Sequence, residues 1–90
     1  MAKYELIYTD DFLEQIDWLK KYNKEPLKKI RQLCCAIEID PRRSIGKPER
    51  LVSKENIWSR KIDKKNRLVY EILDGNQIKI ASCNDHYNDH

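Results

Sequence analysis

Glu49, Arg67, His86 and Tyr87 are side chains of types that together can move protons and hold a phosphate. A carboxylate, an imidazole and a guanidinium are a sensible set for phosphodiester transesterification. One group takes a proton from a ribose 2′-OH, another gives a proton to the leaving 5′-oxygen, and a cation steadies charge on the phosphoryl oxygens. Part of the set lies in a basic stretch. From Arg42 to Arg67 there are ten Lys or Arg against three Asp or Glu, a net of +7. The rest of the chain carries eight basic and twelve acidic residues, a net of −4. Such a stretch is either a solvated face or a polyanion-binding stripe, and charge alone does not choose. Each side chain also has a plainer role open to it. Glu49 can be a surface ion pair, Arg67 can pair with an acid across a hairpin, His86 can be a tail residue and Tyr87 a core aromatic. The residues by themselves support a nucleic-acid-binding α+β domain and no more.

The elements that must position this set follow from periodicity. Tyr4 to Tyr8 alternates as a short strand, and Thr9, Asp10 and Asp11 offer helix caps after it. Phe12, Ile16 and Leu19 predict one helix, and Leu27, Ile30, Cys34 and Ile37 a second, with Asn23 and Pro26 between them and Pro41 as the stop. So short a connection makes the two a hairpin. After a basic loop with Gly46 and Pro48, strands are predicted over 57–62, 67–73 and 77–83. The turns between them are Asp63-Lys64-Lys65-Asn66 and Asp74-Gly75-Asn76. The expected fold is α+β, ordered β-α-α-β-β-β, with a helical hairpin on one face of an antiparallel sheet of four to five strands, one of them near Leu51. The last hairpin sets the start of one strand beside the end of the next, which brings Arg67 toward His86 and Tyr87. Trp58 and Tyr70 read as packing residues.

Composition narrows the class. The chain has 90 residues, 40% of them apolar and 37% charged, which suits one domain over residues 1–90. No apolar run reaches about 18 residues, so no spanning helix is expected. Residues 1–10 lack the apolar core of a secretory signal, and the cytoplasm is the expected location. Cys34, Cys35 and Cys83 have no framework spacing and read as reduced structural thiols. His86 and His90, with Asp85 and Asp89, would suit a metal on a helix. They follow a strand instead, so neither metal nor cofactor is expected.

Three blocks, in this order, carry a family resemblance. They are Gly46-Lys47-Pro48-Glu49 followed by Leu51, Trp58-Ser59-Arg60-Lys61-Ile62 running into Arg67-Leu68-Val69-Tyr70, and Ile80-Ala81-Ser82-Cys83 with His86-Tyr87. The chain resembles the Txe/YoeB group of RelE-like toxins from type II toxin–antitoxin modules. The resemblance implies a RelE-like fold and a metal-independent endoribonuclease that enters the A site of the 70S ribosome and cuts mRNA there. It implies that Glu49 deprotonates the 2′-OH, Arg67 stabilises the phosphate, His86 is the general acid and Tyr87 positions or stacks on the substrate. Products would be a 2′,3′-cyclic phosphate or 3′-phosphate and a 5′-hydroxyl. Lys47, Arg60, Lys61, Arg42 and Arg43 are the expected phosphate contacts. The implied partner is a YefM-like antitoxin whose acidic segment covers the basic stretch, with DNA met only through the antitoxin. A homodimer is compatible with the resemblance. The alternative is a RelE-fold RNA- or antitoxin-binding module with little nuclease activity. Departures from the family pattern are Lys61 in place of an arginine, Asn66 in place of a histidine, Asp85 before His86, and the added Asn88-Asp89-His90.

Overall fold

The computed structural model describes residues 4–51 and 56–83. The order is β1 (Glu5–Tyr8), α1 (Asp10–Tyr22), α2 (Leu27–Ile39), β2 (Glu49–Arg50), β3 (Ile57–Lys61), β4 (Arg67–Leu73) and β5 (Gln77–Ser82). Thr9 joins β1 to α1. Its hydroxyl accepts the Phe12 N–H at 3.0 Å as the N-cap and donates to the Ala81 carbonyl at 3.0 Å. Asp10 and Asp11 in the first turn and Lys20 and Lys21 in the last suit the helix dipole. Asn23 does not cap α2. It closes α1 with its backbone N–H, and its side chain accepts the Glu25 N–H, so it shapes the turn between the helices.

The sheet order is β1-β5-β4-β3-β2. β2, β3, β4 and β5 pair antiparallel, but β1 runs parallel to β5, with Glu5 opposite Gln77 and Tyr8 opposite Ile80. The sheet is therefore mixed, which corrects the all-antiparallel expectation. The physical reason is connectivity: seven elements joined by reversing connections leave the seventh running with the first. The expected extra strand near Leu51 is β2, two residues earlier.

Alternation decides what each face of the sheet meets. Leu68 and Tyr70 of β4 and Ile78 and Ile80 of β5 are buried, packed with Phe12, Leu19, Ile30, Leu33 and Ile37 of the helices, and Ile72 of β4 is also buried. Burying each aliphatic side chain of this kind is worth roughly 1.5–3 kcal/mol. The intervening residues, Arg67, Val69 and Glu71 in β4 and Lys79 in β5, are only partly buried. Glu71 and Lys79, opposite in register, form a salt bridge at 3.1 Å there. Near the end of β5 the register shifts: Val69 faces Ser82 while Tyr70 faces Ile80, leaving Ala81 as the extra residue of a bulge. Gln15, 1% exposed, accepts the Cys83 N–H at 2.6 Å and fastens that strand end to α1. Among the described residues no helix is long and apolar enough to cross a membrane.

Burial pushes the Cys34 thiol from its ordinary 9.0 up to about 11, and the Cys83 thiol up to about 12. Cys35 is exposed. In the unfolded chain both raised thiols lose their protons near pH 9, whereas the folded chain keeps them. The unfolded state then binds fewer protons, so stability falls as pH rises. The urea unfolding midpoint of the reduced protein should hold up to about pH 9 and decline toward pH 11. Cys34→Ala should decline less steeply over the same window.

Candidate active site

β3 divides its residues between two faces. Trp58 and Arg60 lie opposite Tyr70 and Leu68, on the helix side. Ser59 and Lys61 lie opposite Val69 and Arg67, on the other side. On its second edge β3 pairs with β2, which puts Glu49 opposite Ser59. These two pairings bring together residues from 49, 59 and 67.

At their meeting point Arg67 Nη2 lies 2.9 Å from Glu49 Oε1. Arg67 Nε–H donates to Ser59 Oγ at 2.9 Å, and Nη2 approaches the Ser59 carbonyl at 3.5 Å. The Glu49 side chain is 69% exposed and that of Arg67 32%. A pair this open contributes about 0.2–1 kcal/mol after solvent screening, so the fold does not depend on it. Arg67 Nη1 makes no hydrogen bond among the described residues. The site therefore offers an exposed carboxylate and, among the described residues, one unoccupied edge of an oriented guanidinium, groups suited to proton transfer next to a phosphate.

The expected phosphate contacts divide. Lys61 is exposed on the strand next to Arg67 and opposite it in register. Lys47, exposed with φ 48°, shares an open hollow with Lys29, Lys61 and Lys64. Arg42 and Arg43 are exposed in the loop after α2. Arg60 corrects the expectation: it is 0% exposed and faces the helices, out of reach of a bound phosphate. Its Nε–H donates to Tyr70 Oη at 3.1 Å and its Nη1 to the Ile45 carbonyl at 3.1 Å. Its Nη2 donates to the carbonyls of Asp40 at 2.6 Å and Arg43 at 2.5 Å. Tyr70 in turn donates to the Pro41 carbonyl at 2.5 Å. Burial pushes the Tyr70 phenol up, with Arg60 opposing, and it remains a donor at neutral pH. Arg60 thus ties together the loop that leads to Lys47 and Glu49. Strand parity carried the signal, since Arg60 shares its face with Trp58 and Ile62. The same parity could have found Ser59, the contact that sequence reasoning missed. His86 and Tyr87 lie outside the described residues.

A sequence signature described as "YoeB-like toxin of bacterial type II toxin-antitoxin system" matches residues 8–87. The chain belongs to this family of YoeB-like toxins. It is 44% identical over 71 residues to Toxin YoeB of Synechocystis sp., covering 78% of this chain and 81% of that one. The YoeB dimer from Staphylococcus aureus superposes with a TM-score of 0.81 at 35% identity, over 96% of this chain and 100% of that one. The heterotetrameric YoeB-YefM toxin-antitoxin complex from the same organism gives 0.79 at 35% identity with the same coverage. Two helices on a five-stranded mixed sheet are therefore the architecture shared with solved YoeB structures.

Gly46 completes the Arg60 loop. It has φ +86°, and a Cβ there would sit 2.5 Å from Leu33 Cδ2 and 3.0 Å from Arg60 Cβ. Gly46→Ala should cost about 1–3 kcal/mol, from the backbone conformation and the displaced Leu33 together. Arg60→Met would strip donors from three backbone carbonyls and should cost about 3 kcal/mol or more, with Arg60→Lys intermediate. Urea unfolding measured by circular dichroism checks both, and Glu49→Ala, expected within about 1 kcal/mol of wild type, is the control.

Proposed function

We propose that this YoeB-family chain, a single toxin domain, is a ribosome-dependent, metal-independent endoribonuclease that cuts mRNA in the ribosomal A site. The observation that carries this reading is the Glu49–Arg67 contact at 2.9 Å, formed by an exposed carboxylate and a half-buried guanidinium on the sheet face turned away from the helices. In the reaction Glu49 takes the proton of the ribose 2′-OH, and the freed oxygen attacks the adjacent phosphorus. Arg67 receives the growing negative charge on the phosphoryl oxygens. His86 protonates the departing 5′-oxygen, and Tyr87 holds or stacks on the nucleotide. An arriving phosphate competes with Glu49 for Arg67 Nη2, which frees the carboxylate for its proton transfer.

Two further features support the assignment. β5 ends with Ser82 opposite Val69, two residues along the strand from Arg67. His86 follows Cys83 by three residues in the sequence. Lys47, Lys61, Arg42 and Arg43 are exposed and positively charged, suited to the RNA backbone. The same charge suits an acidic segment of a YefM-like antitoxin, the kind of partner named in the Staphylococcus aureus complex. DNA would be met through that antitoxin. The dimer of the Staphylococcus aureus relative extends to this chain as a homodimer. A protein that acts on translating ribosomes does so in the cytoplasm, which is the location this reading implies.

The test is translation in a purified system with primer extension across the mRNA. Wild type should give A-site cuts. Glu49→Ala, Arg67→Ala and His86→Gln should each lower the single-turnover rate at least about 100-fold. If Glu49→Ala and His86→Gln both cut like wild type, the reading is wrong. Ribosome binding without cuts by the wild type would favour the binding-module alternative.

A further inference from the structure

Arg67 is a long side chain on the open face of the sheet, and its register partner Lys61 is a cation that cannot hold it. Its direction is set by Ser59, one strand over and two residues from Lys61. Ser59 is 5% exposed, although its strand position faces away from the helices. Its hydroxyl oxygen accepts the Arg67 Nε–H at 2.9 Å, and its carbonyl lies 3.5 Å from Nη2. Both contacts fall on the Nε–Nη2 edge of the guanidinium. Because the group is planar, holding that edge also fixes where Nη1 points. Nη1 is the nitrogen with no hydrogen bond among the described residues.

The chemistry of the anchor matters. A carboxylate at position 59 would hold Arg67 equally well but would cancel much of the charge meant for a phosphate. A methyl group would leave Nε without an acceptor and the side chain free to swing. A hydroxyl orients the cation and leaves its charge available. Glu49 is the other ligand of the guanidinium, and in the proposed reaction it must let go of Nη2. Ser59 does not have to, so it is the contact that can persist when substrate is present.

We infer that Ser59 is a positioning residue, holding Arg67 so that its Nη1 edge meets a phosphoryl oxygen of the RNA. This rests on the nuclease reading above. Ser59→Ala should lower the single-turnover cleavage rate roughly 10- to 100-fold, the scale on which small misplacements act. The half-saturating concentration for ribosomes should stay within about threefold and the melting temperature within about two degrees. Ser59→Thr, which keeps the oxygen, should recover most of the rate. Because Ser59 acts through Arg67, adding Ser59→Ala to Arg67→Ala should lower the rate no further.

Separate results overturn separate claims. Arg67→Ala cutting at the wild-type rate overturns the nuclease site and this inference with it. Arg67→Ala impaired while Ser59→Ala cuts like wild type overturns the inference alone. So does a Ser59→Ala defect that multiplies with that of Arg67→Ala, or one that Ser59→Thr does not recover.

Discussion

A guanidinium carries five N–H donors, and a buried one is tolerated only when protein acceptors replace water. Arg60 meets that condition without a carboxylate: among the described residues it forms no salt bridge. Its acceptors are the Tyr70 hydroxyl and the carbonyls of Asp40, Arg43 and Ile45. Those carbonyls belong to the end of α2 and the loop after it, where the helix dipole leaves partial negative charge. α2 has no basic residue in its own last turn, so β3 supplies the missing cation. Ser44 at φ 93° and Lys47 at φ 48° show how unusual the loop's path is for residues other than glycine. The bonds to Arg60, together with the Lys61 N–H to Gly46 carbonyl bond at 2.7 Å, hold the chain on that path and deliver it to β2.

Stability and the proposed chemistry thereby fall on opposite faces of one sheet. The helix face holds the aliphatic core and Arg60, whose removal would cost several kcal/mol. The other face holds Glu49 and Arg67, whose mutual attraction contributes less than about 1 kcal/mol. A site built this way can let a substrate break its internal ion pair without loosening the fold. The carboxylate stays in solvent and the cation is steadied by a neutral hydroxyl, so neither group is locked by the other.

Much of this arrangement was legible in the sequence. The alternation of Leu68, Tyr70 and Ile72 gave the buried face of β4, and Thr9 before an acidic first turn gave the start of α1. The turn at Asp74-Gly75-Asn76 was readable because Gly75 and Asn76 both take positive φ. What local patterns could not carry was direction. The parallel pairing of β1 with β5 joins residues about 72 apart, and no nearby spacing reports it. Arg60 was misread for a different reason. A charged residue in a basic stretch looks like surface, and only strand parity with Trp58 argues otherwise. The pairing of Glu49 with Arg67 depends on the loop from Asp40 to Pro48, whose course is set by contacts with a residue much later in the chain.

Register is what joins these observations. In the turn between β3 and β4, Asp63 accepts the backbone N–H groups of Lys65 and Asn66 and the Asn66 side-chain amide. The Asn66 carbonyl accepts the Ile62 N–H. Asn66 is part of the clasp that sets Lys61 opposite Arg67. A slip of one residue would turn every side chain of β3 to the other face. It would bring the Arg60 guanidinium into solvent and leave its carbonyl acceptors bare. It would also put Ser59 into the core, away from Arg67. Both outcomes are unfavourable, so the buried cage that stabilises the loop also enforces the one register in which Ser59 and Glu49 can reach Arg67. The residue that looked like a phosphate ligand thus serves the site from the far side of the sheet, by making the alternative pairing too costly to form.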